Sequence, residues 1–472
     1  MSLSGSLYAA ASGLSATQGM ARVTSGNVAN AMTPGYVRRE AILVSSALGT
    51  GGVHIGEIRR EVDAALVRMS RNENSKMAEY QALHEGLRDY TVFLGDPSSE
   101  SSLNGKFSEF NSSLTTLVNL PSSMGAQQGA VFAAEDLANS IRETSNRLAG
   151  VRNDLDMEIR YEIADLNESL YKLHDYNQRL SDFEPGSLEA AGYHDQVDQV
   201  LDQISGIADI RVTYNADGWV NVYTTGGAAL LEGDRVHDVT FEAGDGTIMA
   251  GDNEITPNKD GVRGIQHGSL AGLTTLKRDT VPKFQLQLDE FARGLIQSFE
   301  AADSTLAAGQ AGLFTDNGFA FDAANLDGLA SRLRVNDAVH AGAGGSPWLI
   351  RDGLGATAPG AASDSTQIQS FIDALGGALG ADPATGIHPD VTLGQYMSEM
   401  VTSQGTETSR AERSYNAAKS AAEVVQASRL NVEGVNIDEE MQRLLLIEQS
   451  FAANSKMLTA VAEMLDTLLA AV

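Results

Sequence analysis

Cysteine is absent from the 472 residues. The chain therefore has no disulfide, no thiolate metal ligand and no cysteine nucleophile, and its fold is compatible with either redox compartment. Uninterrupted apolar runs also fall short of the roughly eighteen residues that a membrane-spanning helix needs, so we expect no membrane insertion. Near the N-terminus, no basic segment is followed by a long apolar core, and we expect no cleaved signal peptide.

Basic residues are scarce. The chain has 33 Lys and Arg against 62 Asp and Glu, which gives a formal net charge of -29. Such a charge repels polyanions, so nucleic acid is not an expected partner. The length is sufficient for roughly two to four domains, each with its own core.

The motifs of common enzyme classes are missing as well. GxxxxGK[ST], GxGxxG, GxSxG and HExxH do not occur, and the eight histidines are scattered without the spacing of metal ligands. Acidic turns between Asp245 and Asp260 do not follow the ligand order of a calcium loop. Glu439 and Glu440 point to different faces of a helix, which favours solvated or inter-subunit roles over acid-base chemistry. We therefore predict a protein that is not an enzyme and needs no cofactor or metal.

An apolar seam runs through the C-terminal stretch 436–472. Its members recur mostly in alternating steps of three and four residues, which places them along one side of an α-helix. An amphipathic helix is marginal alone in water, so this face needs a partner. The seam consists of Ile437, Met441, Leu444, Leu445, Phe451, Leu458, Val461, Leu465, Leu468 and Val472.

The N-terminal stretch has the same spacing and is the predicted partner. Its seam consists of Leu3, Leu7, Ala10, Leu14, Ala21 and Val28, with Thr17 and Thr24 at two weaker positions. Both stretches are rich in Ala, which favours helix and lets two helix axes approach closely. We therefore predict a discontinuous coiled-coil base formed by 1–55 and 431–472. Two unrelated surface helices on one globule remain the alternative.

The chain between these ends is predicted to contain long helices and a β-rich section. Helical periodicity extends from Ile58 to about Leu94 and from about Gln127 to Ser181. Alternating residues on both sides of a turn at 215–218 predict a β-hairpin. The expected fold is mainly α with a β-rich section (α+β). It comprises a long-helix rod domain (56–182, 281–300 and 366–430), the β-rich section (183–280) and Gly/Ala-rich loops or a small insert (301–365).

Two stretches resemble flagellar axial proteins. The segment NVANAMTPGYVRRE is similar to their N-terminal signature, an N-x-A-N run that leads to a P-G-Y turn. The C-terminal segment resembles the ending of the hook-associated protein 1 (FlgK) family, through Gly434 to Glu440, Gln449 to Lys456, and Leu465 to Leu469. In the middle of the chain, YHDQVDQVLDQIS resembles the L-D-Q-R-D helix of this family, and GSLAGLTTLKRD resembles its G-S-L-x-G-L segment. Val197 stands where the family commonly has Arg. The signature residues are Asn27, Asn30, Pro34, Gly35 and Tyr36.

The resemblance implies a structural axial component of the bacterial flagellum that forms the hook-filament junction by helical self-assembly. The implied partners are further copies of the chain, the hook protein, a second hook-associated junction protein, an export chaperone at the C-terminal helix and the flagellar type III export apparatus. The implied location is extracellular, reached without cleavage of a signal. Another axial subunit, a hook or rod protein, is the alternative within this class, and a soluble enzyme or adhesin the alternative outside it. We expect the apolar seams of both terminal stretches to form the assembly contacts.

Overall fold

The computed structural model describes residues 3–45, 51–94, 99–215 and 218–470. Helices account for most of them, which confirms the predicted mainly α fold with a β section. A π-helical turn, Leu276–Thr280, joins two of the helices. The helices are α1 (Leu3–Ala29), α2 (Ala64–Leu94), α3 (Leu103–Asn119), α4 (Met124–Leu180), α5 (Leu188–Ile207), α6 (Ser269–Thr275), α7 (Val281–Ala302), α8 (Leu329–Arg332), α9 (Leu349–Asp352), α10 (Thr366–Leu375), α11 (Leu393–Glu433) and α12 (Ile437–Ala470).

The strands form small antiparallel sheets. The predicted hairpin is confirmed, since Ile210 pairs with Thr224 and Tyr214 with Val220. Two strands, Phe314–Asp316 (β10) and Leu333–Val335 (β11), lie in the range predicted as loops or a small insert. The other strands are β1 (Arg39–Ser45), β2 (Val53–Arg60), β3 (Ile210–Tyr214), β4 (Val220–Thr224), β5 (Ala229–Glu232), β6 (Arg235–Val236), β7 (Val239–Glu242), β8 (Thr247–Ala250) and β9 (Asn253–Glu254).

The beginning of the first rod helix was predicted wrongly. Residues up to Arg60 belong to β2, which pairs with β1, and α2 begins only at Ala64. Backbone pairing with a strand some fifteen residues earlier overrides the local helical period, because propensity is a weak preference that tertiary contacts outweigh. Asp63 then starts α2, since its carboxylate accepts from the backbone N–H of Ala65 at 2.8 Å.

The chain folds into two compact units, each built from segments that are distant in sequence. The first unit combines Met1–Glu79, Tyr161–Ala271 and Asn416–Val472, and the second combines Tyr80–Arg160 and Gly272–Tyr415. The four-part division inferred from the sequence stays a prediction.

An aromatic cluster forms part of the core of the second unit. The ring of Phe299 on α7 lies 5.7 Å from Phe110 on α3, 5.1 Å from Phe314 on β10 and 4.9 Å from Phe371 on α10, measured between centroids. All four rings are buried. Because aromatic side chains bury large areas, this cluster holds the three helices and the strand together.

In the first unit, two asparagines of α4 fix the β-rich section. Asn177 exchanges two hydrogen bonds of 2.9 Å with the backbone of Val220 on β4. Ten residues earlier, Asn167 does the same with Val239 on β7 at 2.8 Å. Each amide replaces a strand partner for one backbone N–H and one C=O, so α4 holds both sheets without a further strand.

Candidate functional site

The two terminal helices, α1 and α12, pack against each other. This confirms the prediction that the two ends of the chain are in contact. Asn27 near the end of α1 contacts Glu440 near the start of α12, and Gly13 lies against Asn454. The two contacts are fourteen residues apart on both helices and occur in opposite order. The helices are therefore antiparallel, and the two contacts are separated by two heptads along each helix.

Small residues line the side of α1 that is buried. The leucines of the predicted seam are not among them, and Val23 is the largest apolar side chain in the set. A Cβ atom on Gly13 would lie 2.9 Å from the amide of Asn454, so the helices approach closely at this point. The buried residues of α1 are Ala10, Gly13, Ala16, Thr17, Val23, Thr24 and Asn27.

The apolar seam residues keep much of their surface exposed. Leu3, Leu14 and Val28 are half-buried and Leu7 is exposed on α1. Val461 is buried on α12, with Leu444 and Leu458 half-buried beside it, whereas Val472 lies outside the described residues. Their role as an assembly seam stays a prediction. The exposed members on α12 are Ile437, Met441, Leu445, Phe451, Leu465 and Leu468.

Asn27, the first signature residue, is fully buried and connects three elements through four hydrogen bonds. Its Nδ2 donates to the carbonyl oxygen of Arg39 at 2.9 Å and to Oε2 of Glu440 at 3.1 Å. Its Oδ1 accepts from the hydroxyl of Tyr36 at 2.8 Å and from the backbone N–H of Arg39 at 3.1 Å. The amide thus uses both donors and both acceptor positions, which only Asn can provide at this length.

Glu440 is the acidic member of the same cluster. It is fully buried, and its Oε1 accepts from Nε of Arg38 at 2.8 Å. The expectation that Glu439 and Glu440 are solvated or face another subunit is therefore wrong for Glu440. The reason is that α1 and the chain after it supply Arg38 and Asn27, so the charge is paired within one molecule.

Tyr36 places an aromatic ring beside this cluster. The guanidinium of Arg39 lies 4.7 Å from the ring centroid, a cation-π arrangement. Burial raises the pKa of the Tyr36 hydroxyl, an effect that the nearby Arg39 only partly opposes. The hydroxyl therefore stays protonated and able to donate to Asn27.

The remaining signature residues shape the turn after α1. Nδ2 of Asn30 donates to the carbonyl oxygen of Gly26 at 2.9 Å, and Gln199 on α5 donates to the carbonyl oxygen of Pro34 at 3.1 Å. Gly35 has φ +73°, and a Cβ there would lie 2.4 Å from Nε2 of Gln199. Gly is required at this position both by its left-handed conformation and by the close approach of α5.

An ion-pair ladder crosses the first unit beside this site. Each aspartate of α5 in it bridges two arginines, with N–O distances of 2.6 to 2.8 Å. The ladder ends in the pair between Arg429 and Glu433 on α11. It joins β1, β2, α2, α5 and α11, and its members in order are Arg39, Asp195, Arg60, Asp198, Arg71, Asp202, Arg429 and Glu433.

The electrostatics of the ladder differ between its middle and its end. Burial alone would raise the pKa of Asp198, but Arg60 and Arg71 outweigh it and hold the pKa below the ordinary value. At Glu433, burial outweighs the attraction of Arg429 and the pKa is raised. Val197, between the aspartates, is 1% exposed and packs in the core, so it supplies no ion pair.

Sequence reasoning missed the ladder. The spacing of Asp195, Asp198 and Asp202 by three and four residues was a signal, because it places three carboxylates on one face of α5. The arginines that pair with them come from segments far apart in the sequence, so the sequence alone does not predict that they meet. The ladder positions the hairpin β1-β2, which in turn packs on α1.

The β1-β2 hairpin covers one side of α1. The backbone N–H of Val53 donates to Oγ of Ser12 at 3.2 Å, and the side chain of Ile55 fills the space beside Gly19. A cavity of about 280 Å³ lies between α1, β1 and α12 on this side, lined by Leu446 and other apolar side chains and by the charged Arg39, Glu40 and Arg443.

Two features of the described ranges bear on other functions. No three His, Asp or Glu side chains in these ranges are placed to hold a metal ion together. In the same part of the chain, no helix combines the length and the apolar character needed to cross a membrane.

Comparison with known proteins gives concordant matches. Residues 92–312 match the family model described as the flagellar hook-associated protein FlgK helical domain, and residues 426–471 match that of the flagellar basal body rod FlgEFG protein C-terminal region. The chain is 23% identical to flagellar hook-associated protein 1 of Bacillus subtilis (strain 168) over 502 residues, which cover 96% of this chain and 95% of the relative.

A solved structure of the flagellar hook junction protein FlgK from Burkholderia pseudomallei is similar with a TM-score of 0.45 and 16% identity, over 53% of this chain and 47% of that one. The sequence matches carry the assignment, since they include the helical domain, the C-terminal helix and a relative aligned along nearly its whole length. Residues 92–312 thus match the flagellar hook-associated protein FlgK helical domain, and the chain is similar to flagellar hook-associated protein 1 along nearly its whole length.

Proposed function

We propose that this chain is a structural axial component of the bacterial flagellum that forms the junction between hook and filament by helical self-assembly through its terminal helices. The observation that carries the proposal is the exposed apolar surface of α12, a helix whose other side is already covered by α1. Large apolar side chains exposed along a whole helix are typical of an interaction surface. They include Met441, Leu445, Leu446, Met457, Met464, Leu465, Leu468 and Leu469.

The energetics favour assembly through several neighbours. Burying one Leu or Met side chain contributes about 1.5 to 3 kcal/mol. Association costs roughly 4 to 15 kcal/mol in lost translational and rotational freedom alone. Several exposed side chains of α12 must therefore be buried together, which fits a subunit held by contacts with more than one copy.

The proposed partners follow from this role. In the junction, the chain contacts further copies of itself, the hook protein on one side and a second hook-associated junction protein on the other. Before assembly, an export chaperone covers α12, and the flagellar type III export apparatus transfers the chain to the cell exterior without cleavage of a signal. The chain acts through binding and has no enzymatic role.

A hook or rod subunit is the second candidate. It is supported by the match of residues 426–471 to the C-terminal model of the basal body rod proteins. The match of residues 92–312 to the FlgK helical domain favours the junction, because it covers the long helix α4 and the β-rich section.

Immunogold labelling of isolated flagella distinguishes the two candidates. Antibodies against this chain are expected to label a ring at the boundary of hook and filament. Label along the hook or within the rod would favour the second candidate, and absence of label from flagella that contain the chain in immunoblots would contradict both.

A further inference from the structure

Helix α12 carries a second apolar row, here called the outer stripe, beside the face that contacts α1. Its members recur in steps of three, four or seven residues, so they lie on one side of the helix. The four large side chains are 53 to 64% exposed. The outer stripe consists of Leu446, Ala453, Met457, Ala460, Met464 and Leu468.

Helix α1 has a row of its own, here called the flank stripe: Leu7, Leu14, Ala21 and Val28, one every seven residues. These side chains are half-buried or exposed. The hairpin β1-β2 contacts α1 through Ser12 and Gly19. Since two residues correspond to about 200° around a helix, Leu14 and Ala21 lie on the side of α1 that faces away from the hairpin.

The two stripes lie on opposite sides of the helix pair. Leu446, the first residue of the outer stripe, lines the cavity beside β1, and this is the hairpin side. The flank stripe is on the other side of α1, so one molecule cannot bring its own two stripes together. Two different surfaces that match each other form a heterologous contact, and such contacts repeat from copy to copy.

Charge selects the partner of the outer stripe. Between Ile437 and Ala470, α12 contains six acidic and two basic residues, so two copies of α12 repel each other. Helix α1 contains Arg22 and no acidic residue, and the first Asp or Glu in this chain of net charge -29 is Glu40. The flank stripe of α1 is therefore the electrostatically favourable partner.

We propose that the outer stripe of α12 binds the flank stripe of α1 of a second copy, and that this heterologous contact propagates assembly. The proposal rests on the proposed function and specifies which surfaces meet. It excludes a symmetric contact between two α12 helices, which would close a dimer and end growth.

The absence of cysteine allows a direct test by crosslinking. Two variants, Leu7→Cys and Met457→Cys, are given tags of different mass and are expressed together in cells that lack the natural protein. Isolated flagella are treated with a short bismaleimide, which forms one thioether with each thiol. A mixed crosslink can arise only between two copies, because each copy carries a single cysteine.

Matched controls use exposed residues of the same helices that lie outside the stripes. Thr459→Cys replaces Met457→Cys, and Ser15→Cys replaces Leu7→Cys. The pair of stripe variants is expected to give the mixed crosslink in about tenfold excess over either control pair, because docking keeps the two thiols at high effective concentration.

The outcomes separate this proposal from the junction assignment. Flagella that carry both variants at the hook-filament boundary without the mixed crosslink, or with Met457→Cys crosslinked to itself, would overturn the proposed contact and leave the assignment intact. Absence of the unmodified chain from that boundary would instead overturn the assignment.

Discussion

At the scale of single residues, the signature is explained by satisfied hydrogen bonds rather than by apolar packing. Asn27 connects α1, the turn to β1 and the buried carboxylate of Glu440, and Gly35 permits a left-handed turn against α5. Buried polar groups that are fully paired fix one arrangement of neighbouring elements. The signature residues therefore set how the end of α1 meets the start of α12.

Asn27→Asp is expected to lower the free energy of unfolding by about 2 to 4 kcal/mol at neutral pH, because it removes two donors and places a second carboxylate beside Glu440. Urea unfolding followed by circular dichroism measures the effect. Asn30→Asp is the matched control, since that side chain is less buried and bonds only near its own helix end. Equal losses for the two variants would contradict the role assigned to Asn27.

Gly35→Ala is expected to cost about 1 to 3 kcal/mol, because φ is +73° and the added Cβ displaces Gln199 from its hydrogen bond with Pro34. Gly51→Ala provides the comparison, with φ +63° and open space around the Cβ position. Thermal unfolding of both variants should show the larger decrease for Gly35→Ala. A larger decrease for Gly51→Ala would show that α5 does not constrain the turn.

At the scale of elements, the sequence predicted the helices and strands in which apolar residues recur regularly along one face. The long helix predicted from about Gln127 to Ser181 is observed as Met124–Leu180, because its apolar spacing persists for many turns. The hairpin β3-β4 was readable from its alternation and turn. For the hairpin β1-β2, the alternation of Val53 and Ile55 indicates a strand, but β1 was not recognised and the end of β2 was assigned to a helix.

The contact between α1 and α12 was predicted only in part. Of the N-terminal seam, Ala10, Thr17 and Thr24 are buried as expected, whereas its leucines are not. Close approach of the two helices favours small side chains, so Gly13 is buried as well. The ion-pair ladder could not be predicted, because Arg39 and Arg429 meet the same helix only after the chain has folded.

The ladder makes a pH-dependent contribution to stability. The pKa of Asp198 is lowered in the folded state, so its contribution is present above the unfolded value of about 3.9 and is lost as pH falls through the folded value. Asp198→Asn removes this contribution. Wild type is expected to exceed the variant in melting temperature at pH 7, with a difference that shrinks below about pH 4. A difference independent of pH would contradict the ionic role.

Leu465→Asp tests the exposed surface of α12. Leu465 is 37% exposed in the single chain, so the charge should leave the fold intact, whereas burial of a carboxylate among neighbouring copies is costly. Complementation of a null strain is expected to fail, with loss of swimming. Thr459→Asp, at an exposed polar position of the same helix, is the control and should restore motility. Swimming restored by Leu465→Asp would exclude this surface from assembly.

At the scale of the whole molecule, the chain folds into two units, and the first of them contains the terminal helix pair with its exposed apolar side chains. The sequence matches cover the helical domain and the C-terminal helix, and the exposed residues of α12 agree with a subunit that completes its packing in an assembly. The proposed partners and the proposed export route both depend on the junction role.

Electron microscopy of cells that lack this chain tests the junction role most directly. If the chain connects hook and filament, the cells are expected to assemble hooks that end bare, and the wild-type gene should restore attached filaments. Filaments of normal length attached to the hooks of the null strain would contradict the role.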